Sequence, residues 1–321
     1  MNIDLLLENL TNPALLFFFL GIVASQIKSD LSIPENSSKF ISLYLMFSIG
    51  FKGGQELAHS HLGLEVLWIL LFGIAMAMIV PIYTFFIMKP KVGIFNAGAV
   101  AAAYGSVSAV TFVTAVSFLE LQDIDFDGYM VAVMASIEAP SIIMGVLLIA
   151  LFHKSSKTEI PFSSVLKHAI TNGSVVLIIG SLMIGFFASD AQAEGIKPFT
   201  TDIFKGFLAV FLLDMGINSG KHLKGFKKNG WFSFGYAIIC PLITGSIVAY
   251  LSGFVTDSVG NRLLFSILAA SASYIAVPAA MRLAVPKANP GLYLPMALAI
   301  TFPFNISIGM PIYLSIIQML Q

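Results

Sequence analysis

Charged residues are scarce in this sequence. Asp, Glu, Lys and Arg together make up 11% of its 321 residues, whereas a soluble domain carries roughly 25%. Apolar runs recur along the chain, for example at 13–27, 66–88 and 142–152. Runs of about 20 apolar residues span a bilayer, and the alternating pattern of a membrane β-barrel is not seen. The composition therefore predicts an all-α membrane protein.

The sequence also lacks the usual signals of several other classes of protein. The formal net charge is +0, which gives no indication of a nucleic-acid partner. The single cysteine, Cys240, cannot form an intrachain disulfide. The sequence contains no Walker phosphate loop, no His-Glu-x-x-His zinc motif and no Gly-x-Ser-x-Gly nucleophile. We therefore expect neither an ATP-driven motor nor an enzyme, and no cofactor.

Ten apolar segments predict ten membrane-spanning helices, which we number as spans 1 to 10. They are residues 12–28, 38–58, 63–88, 94–120, 129–153, 166–188, 200–222, 230–254, 261–285 and 292–319. Positive residues favour the cytoplasmic side of a membrane. A cytoplasmic loop at 154–165 leaves only four of the 17 Lys and Arg residues outside, namely Lys52, Lys197, Lys205 and Arg262. We expect both termini outside, in a bacterial inner membrane.

The two halves of the chain resemble each other. Gly-x-x-x-Gly occurs at Gly50 and again at Gly216, 166 residues later, and paired serines begin at Ser106 and Ser271, 165 residues apart. Spans 5 and 10 match at an offset of 163. A repeat of five spans has an odd number of crossings, so the second copy is inverted, as in many secondary transporters. The predicted domains are 1–153, a cytoplasmic linker at 154–165, and 166–321. We expect the glycines to be close helix contacts.

Spans 4 and 9 each carry a cluster of small and hydroxylated residues beside a helix breaker. Span 4 contains Gly105-Ser106-Val107-Ser108, and span 9 contains Ser271-Ala272-Ser273 followed by Pro278. Glycine and proline both weaken a helix interior. A break creates a new half-helix N-terminus, whose free N–H groups and dipole favour an anion. The pattern predicts two interrupted helices that cross at mid-membrane and bind a small anion.

Two carboxylates lie well inside predicted spans, Glu138 and Asp214. A charge at this depth is costly and therefore indicates function. No intramembrane Lys or Arg lies at matching depth to neutralise Glu138, so a bound cation is its natural partner. The hydroxyl of Thr111 in span 4, together with Thr301 (the repeat mate of Glu138 at offset 163) and Asn305 in span 10, offers oxygen ligands that sodium accepts. For Asp214, a structural and a functional role are equally compatible with the sequence.

At these residues the sequence resembles the sodium-dependent bicarbonate transporter family (SbtA type). The resemblance rests on Ile33-Pro34-Glu35, the segment 49–54, Gly105–Ser108 with Thr111, Leu119-Glu120, and Glu138-x-Pro140. It extends over nearly the whole chain, and Gly-Ser-Val-Ser is its most specific part. Glu138 stands where the family usually has an aspartate.

The resemblance implies a sodium-coupled bicarbonate symporter of the elevator type. It implies two inverted five-helix repeats, a gate domain of spans 1, 2, 6 and 7, and a core domain of spans 3–5 and 8–10. It also implies a homotrimer and, for some members, inhibition by a small PII-like protein. By motif match, the anion would contact Gly105, Ser106, Val107 and Ser108 from one repeat, and Ser271, Ala272 and Ser273 from the other, with sodium beside it.

The residues leave other functions open. A different small organic anion could use the same architecture. A cation/proton antiporter could use Glu138 and Asp214 alone, without paired half-helix ends. A membrane sensor without transport is a further alternative, although we see no soluble signalling domain beside the spans.

Overall fold

The computed structural model describes residues 3–59, 63–153, 167, 171, 173–226 and 230–320. Throughout these residues the regular structure is helical, with no strand. The prediction of an all-α protein is therefore confirmed for this part of the chain. A helix satisfies its own backbone N–H and C=O groups, which is what an apolar solvent requires. The predicted linker, 154–165, lies outside the described residues.

The first half contains seven described helices. They are α1 (Ile3–Leu10), α2 (Pro13–Gln26), α3 (Glu35–His59), α4 (Leu64–Val92), α5 (Ile94–Gly105), α6 (Ala109–Leu121) and α7 (Tyr129–Phe152). Asn12 caps α2, since its side chain accepts a hydrogen bond from the amide of Ala14, and Pro13 occupies the first helical position, where no N–H is needed.

The described part of the second half is also helical. Its helices are α8 (Gly173–Phe187), α9 (Asp190–Lys197), α10 (Phe204–Phe226), α11 (Gly230–Leu251), α12 (Val259–Ala270), α13 (Ala276–Ala284) and α14 (Pro290–Met319). Two π-helical segments, Met296–Thr301 and Asn305–Gly309, interrupt α14. The buried side chain of Asn9 in α1 donates to the carbonyls of Ile306 and Ser307 at 2.9 and 3.0 Å, so α1 is fixed to the second of these segments.

Six segments of the described chain are long and apolar enough to cross a membrane. They are Leu64–Val92, Ile94–Leu121, Tyr129–Phe152, Asp190–His222, Gly230–Phe254 and Pro290–Met319. Helices α2, α8 and α12 are apolar but shorter. The chain is thus a multi-pass membrane protein by length and composition, and the full set of ten spans stays a prediction.

Glycines bring helices of the two halves into contact. A Cβ atom on Gly216 of α10 would overlap the carbonyl oxygen of Phe18 in α2 and lie 3.1 Å from the Cα of Gly21. A Cβ atom on Gly54 of α3 would lie 2.9 Å from the Cα of Gly185 in α8. The prediction that these glycines are close helix contacts is confirmed, and it pairs α2 with α10 and α3 with α8.

Two equivalent hydrogen bonds occur in the remaining helices. The hydroxyl of Ser141 in α7 donates to the carbonyl of Ala77 in α4 at 3.0 Å. The hydroxyl of Thr301 in α14 donates to the carbonyl of Ala237 in α11 at 2.7 Å. The partners are 64 residues apart in both cases. If the two halves are repeats, this equal spacing favours Ser141 rather than Glu138 as the counterpart of Thr301.

Candidate functional site

The first predicted interruption is present between α5 and α6. Helix α5 ends at Gly105, Ser106 is extended with φ −84° and ψ 171°, and α6 begins after Ser108. The Ser108 hydroxyl caps α6 by accepting from the amide of Thr111 at 3.2 Å. A Cβ atom on Gly105 would overlap the ring of Pro81. Glycine at this position therefore lets α5 approach α4 just where its helix stops.

The second predicted interruption lies between α12 and α13. Helix α12 ends at Ala270, and Ser271 has φ −80° and ψ 169°, nearly the values of Ser106. The hydroxyl of Ser273 accepts from the amide of Val277 at 3.4 Å. Pro278 falls in the first turn of α13, where backbone N–H groups have no helical acceptor and proline is tolerated. The proline thus favours a helix start here rather than a continuous helix.

The two interruptions contact each other directly. The amide of Ser273 donates to the carbonyl of Ala103 at 2.8 Å. The amide of Ser108 donates to the hydroxyl of Ser271 at 3.2 Å. Backbone groups that each helix releases at its break are therefore satisfied by the other, as burial in an apolar environment requires.

A small cavity of about 30 Å³ lies beside this crossing. Its wall includes the first residues of both half-helices, Ser108-Ala109 and Ile275-Ala276, together with Ser273 and Glu138. The lining from α3 and α8 is mostly apolar, with Met46, Val175 and Ile178 beside Ser174. One water needs roughly 10–15 Å³ by this measure, so the cavity has room for a species of a few atoms. Both positive helix ends point to one place that also contains a carboxylate.

Glu138 forms no hydrogen bond or ion pair with the described part of the chain. Its carboxylate lies in the cavity wall on α7. An ionised carboxylate without a partner is costly to bury. A proton or a cation from outside the chain would remove this cost, and a cation-binding role for Glu138 stays a prediction.

Buried hydroxyls near the crossing provide hydrogen-bond donors. Within the described residues, the Ser106 Oγ atom and the Tyr274 hydroxyl are buried without a hydrogen-bond partner. Tyr274 lines the cavity, as do Val107, Ser108 and Ser273, whereas Gly105, Ser106, Ser271 and Ala272 do not line it. Tyr274 was missed from the sequence, although it directly follows the Ser271–Ser273 cluster. Its ring and hydroxyl add a donor that the serine pattern alone does not predict.

The structure does not bring the other predicted cation ligands to this cavity. Thr301 donates to Ala237 and is bonded to the hydroxyl of Tyr104 at 2.8 Å. Asn305 donates to the carbonyl of Ala270 at 2.8 Å, which satisfies the end of α12. Thr111 is buried in the first turn of α6 and does not line the cavity. A sodium role for these three side chains stays a prediction, whereas their position favours a structural role for Thr301 and Asn305.

Two further carboxylates are engaged elsewhere. Asp214 in α10 is buried and accepts a hydrogen bond from the hydroxyl of Ser38 in α3. Glu120 at the end of α6 forms an ion pair with Lys52 of α3, with Nζ and Oε1 2.6 Å apart. Neither carboxylate lines the cavity. Glu138 is therefore the carboxylate that the described structure associates with the crossing.

The sequence matches one family of known proteins over most of its length. The profile of the Na⁺-dependent bicarbonate transporter superfamily matches residues 13–318. The matched region includes both interrupted helices, Glu138 and the glycines that pair the halves. No curated protein matches the sequence.

Proposed function

The chain belongs to the Na⁺-dependent bicarbonate transporter superfamily, and we propose that it is a sodium-coupled symporter that imports bicarbonate by alternating access. One observation carries the proposal: a single small cavity is lined by two half-helix N-termini and by the unpaired carboxylate of Glu138. Helix N-termini favour an anion, and a carboxylate favours a cation. Such a cavity binds an anion and a cation better together than apart.

In the proposed site, bicarbonate accepts hydrogen bonds from the half-helix ends and from the cavity hydroxyls of Ser108, Ser273 and Tyr274. Sodium is held beside it by Glu138 and by hydroxyl oxygens of the same wall. Each ion compensates part of the charge that the other brings into a poorly hydrated place. This mutual compensation is the physical basis of coupling, because either ion alone leaves an uncompensated charge.

For the architecture we propose ten spans in two inverted repeats, 1–153 and 166–321. The equivalent bonds Ser141 to Ala77 and Thr301 to Ala237 support it, as do the matched dihedrals of Ser106 and Ser271. The gate domain would comprise α2, α3, α8 and α10, which pair through glycines, and the remaining spans would form the core. Residues of both the gate and the core line the cavity. This is the arrangement expected of an elevator mechanism, in which the core moves relative to the gate.

Several properties rest on the family resemblance and on the charge pattern. We propose a bacterial inner-membrane location with both termini outside, because that topology places most Lys and Arg residues inside. We also propose a homotrimer. Regulation by a small PII-like protein stays a prediction.

Uptake by reconstituted protein tests the proposal. Proteoliposomes should accumulate labelled bicarbonate under an inward Na⁺ gradient and should not do so when K⁺ replaces Na⁺. Accumulation that does not depend on Na⁺ would exclude symport. A panel of small organic anions in the same assay identifies a different cargo, and Na⁺-driven proton release without anion uptake would indicate an antiporter.

A further inference from the structure

A long apolar groove runs between α4 and α11, away from the cavity at the crossing. Its volume is about 810 Å³, within the range of roughly 300–1,000 Å³ found for ligand pockets. The walls are formed by side chains such as Ile79 and Ile87 of α4 and Ile239, Ile243 and Ile247 of α11. It shares no lining residue with the cavity that contains Glu138.

The hydroxyl groups that line the groove are already hydrogen-bonded. The Tyr83 hydroxyl is 2.6 Å from the Thr244 hydroxyl, and the Tyr236 hydroxyl donates to Thr84 at 2.7 Å. These two bonds join α4 to α11 along the groove. Because these hydroxyl groups are hydrogen-bonded within the protein, a hydrocarbon chain can cover them without leaving a donor or acceptor unpaired.

One end of the groove combines aromatic side chains with a positive charge. Trp231 and Phe232 line this end, and Trp231 is 86% exposed. The ammonium group of Lys91 lies 5.6 Å from the centre of the Phe232 ring. Indole rings are typical of the membrane–water interface, and basic side chains at the cytoplasmic interface attract anionic lipid headgroups.

Gly235 keeps the groove open. It lines the groove, and a Cβ atom placed on it would have no neighbour within 4 Å. The glycines at helix contacts elsewhere in the chain, such as Gly54 and Gly216, have backbone atoms against them instead. Gly235 therefore borders open space rather than another helix.

We propose that the groove between α4 and α11 is a binding site for one anionic phospholipid, with an acyl chain along the apolar walls and the headgroup phosphate against Lys91. The charge at the groove end argues for a lipid rather than a second protein copy, because a protein would have to bring an acidic group to the interface to match Lys91. The proposal does not depend on the identity of the transported ions.

Tryptophan fluorescence tests this proposal directly. The chain has 2 tryptophans, so Trp68→Phe leaves Trp231 as the only reporter. In phosphatidylcholine vesicles, phosphatidylglycerol with brominated acyl chains should quench Trp231 at about one fifth of the mole fraction that brominated phosphatidylcholine requires, the preference expected for one lysine. The reciprocal variant Trp231→Phe reports from Trp68, which does not line the groove, and should show no such preference.

Two further variants separate the headgroup from the chain. Lys91→Gln should abolish the preference for phosphatidylglycerol. Gly235→Leu should fill the groove and reduce quenching by both lipids, whereas the control Gly206→Leu, which is also without neighbours within 4 Å, should not. Equal quenching of Trp231 by both lipids would overturn the proposal in favour of ordinary bilayer contact. Quenching by neither lipid would overturn it in favour of a second copy that covers the groove.

Discussion

Replacing Glu138 by glutamine is the sharpest test of the proposed cation site. The substitution keeps the length and one carbonyl oxygen of the side chain but removes its charge. Glu138 has no partner in the described chain that would hide the change, so the effect falls on whatever cation occupies the cavity. A Na⁺ ion at about 4 Å from a carboxylate is stabilised by about 4 kcal/mol at an effective dielectric constant of about 20.

The amide oxygen of glutamine still coordinates sodium, so part of this interaction persists. We expect a loss of about 2–4 kcal/mol, which is a fall in Na⁺ affinity of about 30- to 700-fold. The assay is the initial rate of bicarbonate uptake as a function of Na⁺ concentration, with ionic strength held constant by K⁺. Half-maximal uptake should require correspondingly more Na⁺.

Asp214→Asn is the matched control. It removes the same charge from the other carboxylate that lies well inside a predicted span, but Asp214 is hydrogen-bonded to Ser38 and does not line the cavity. Its Na⁺ requirement should stay close to that of the unmodified protein. An unchanged requirement in Glu138→Gln, or an equal increase in both variants, would refute the assignment of Glu138 as the cation ligand.

Substitutions at Ser273, Thr301 and Gly216 test the crossing and the packing. Ser273→Leu should abolish bicarbonate uptake while the protein still elutes as a single species, whereas Ser273→Ala removes one proposed donor to the anion and should weaken uptake by about 1 kcal/mol without abolishing it; uptake by the leucine variant would show that the site is misplaced. Thr301→Val leaves two buried hydrogen-bond partners unpaired, so we expect a lower Tm from a loss of about 1–3 kcal/mol with an unchanged Na⁺ requirement; a raised requirement would make Thr301 a sodium ligand. Gly216→Ala forces a methyl group onto the carbonyl of Phe18 and should cost about 1–3 kcal/mol; Gly206→Ala, which has open space around it, should not lower the Tm.

The interruptions could be predicted from the sequence because their causes are local. Gly105 ends α5 and, because it has no side chain, lets α5 lie close to α4. Pro278 lacks the N–H that a continuous helix would need. The small hydroxylated residues beside Gly105 and Pro278 then indicate where polar groups meet inside the membrane. The structure has both breaks at these residues and joins them by hydrogen bonds.

The counterpart of Thr301 could not be predicted, because it depends on lengths that hydropathy does not reveal. Helix α6 has 13 residues whereas α13 has 9, so the offset changes along the chain, and neither the 165 of the breaks nor the 163 of spans 5 and 10 aligns Ser141 with Thr301. The π-helical segment Met296–Thr301 changes the facing of side chains further. An offset of 163 pairs Thr301 with Glu138, whereas the equal spacing of the bonds from Ser141 to Ala77 and from Thr301 to Ala237 favours Ser141 as its counterpart in the proposed repeat.

No sequence pattern predicts which apolar residues line the cavity. Met46, Val175 and Ile178 come from helices distant in the chain, and each lies in an apolar run whose members look alike. Which of them faces the crossing is set by how α3 and α8 pack against each other. That packing follows from tertiary contacts, such as the approach of Gly54 to Gly185, and not from local pattern.

The pairing of glycines across the two halves has a consequence for how the protein is made. Gly21 meets a partner that is 195 positions later in the chain, and Gly54 meets one that is 131 positions later. At synthesis rates of about 5–20 residues per second, the interval for the first pair is about 10–40 s. For that time the small-residue face of α2 has no partner helix to pack against, and for about 7–26 s the same holds for α3. The first half of the chain is therefore exposed without its packing partners until the second half has been synthesised. Agents that slow translation of the second half should increase degradation of the first.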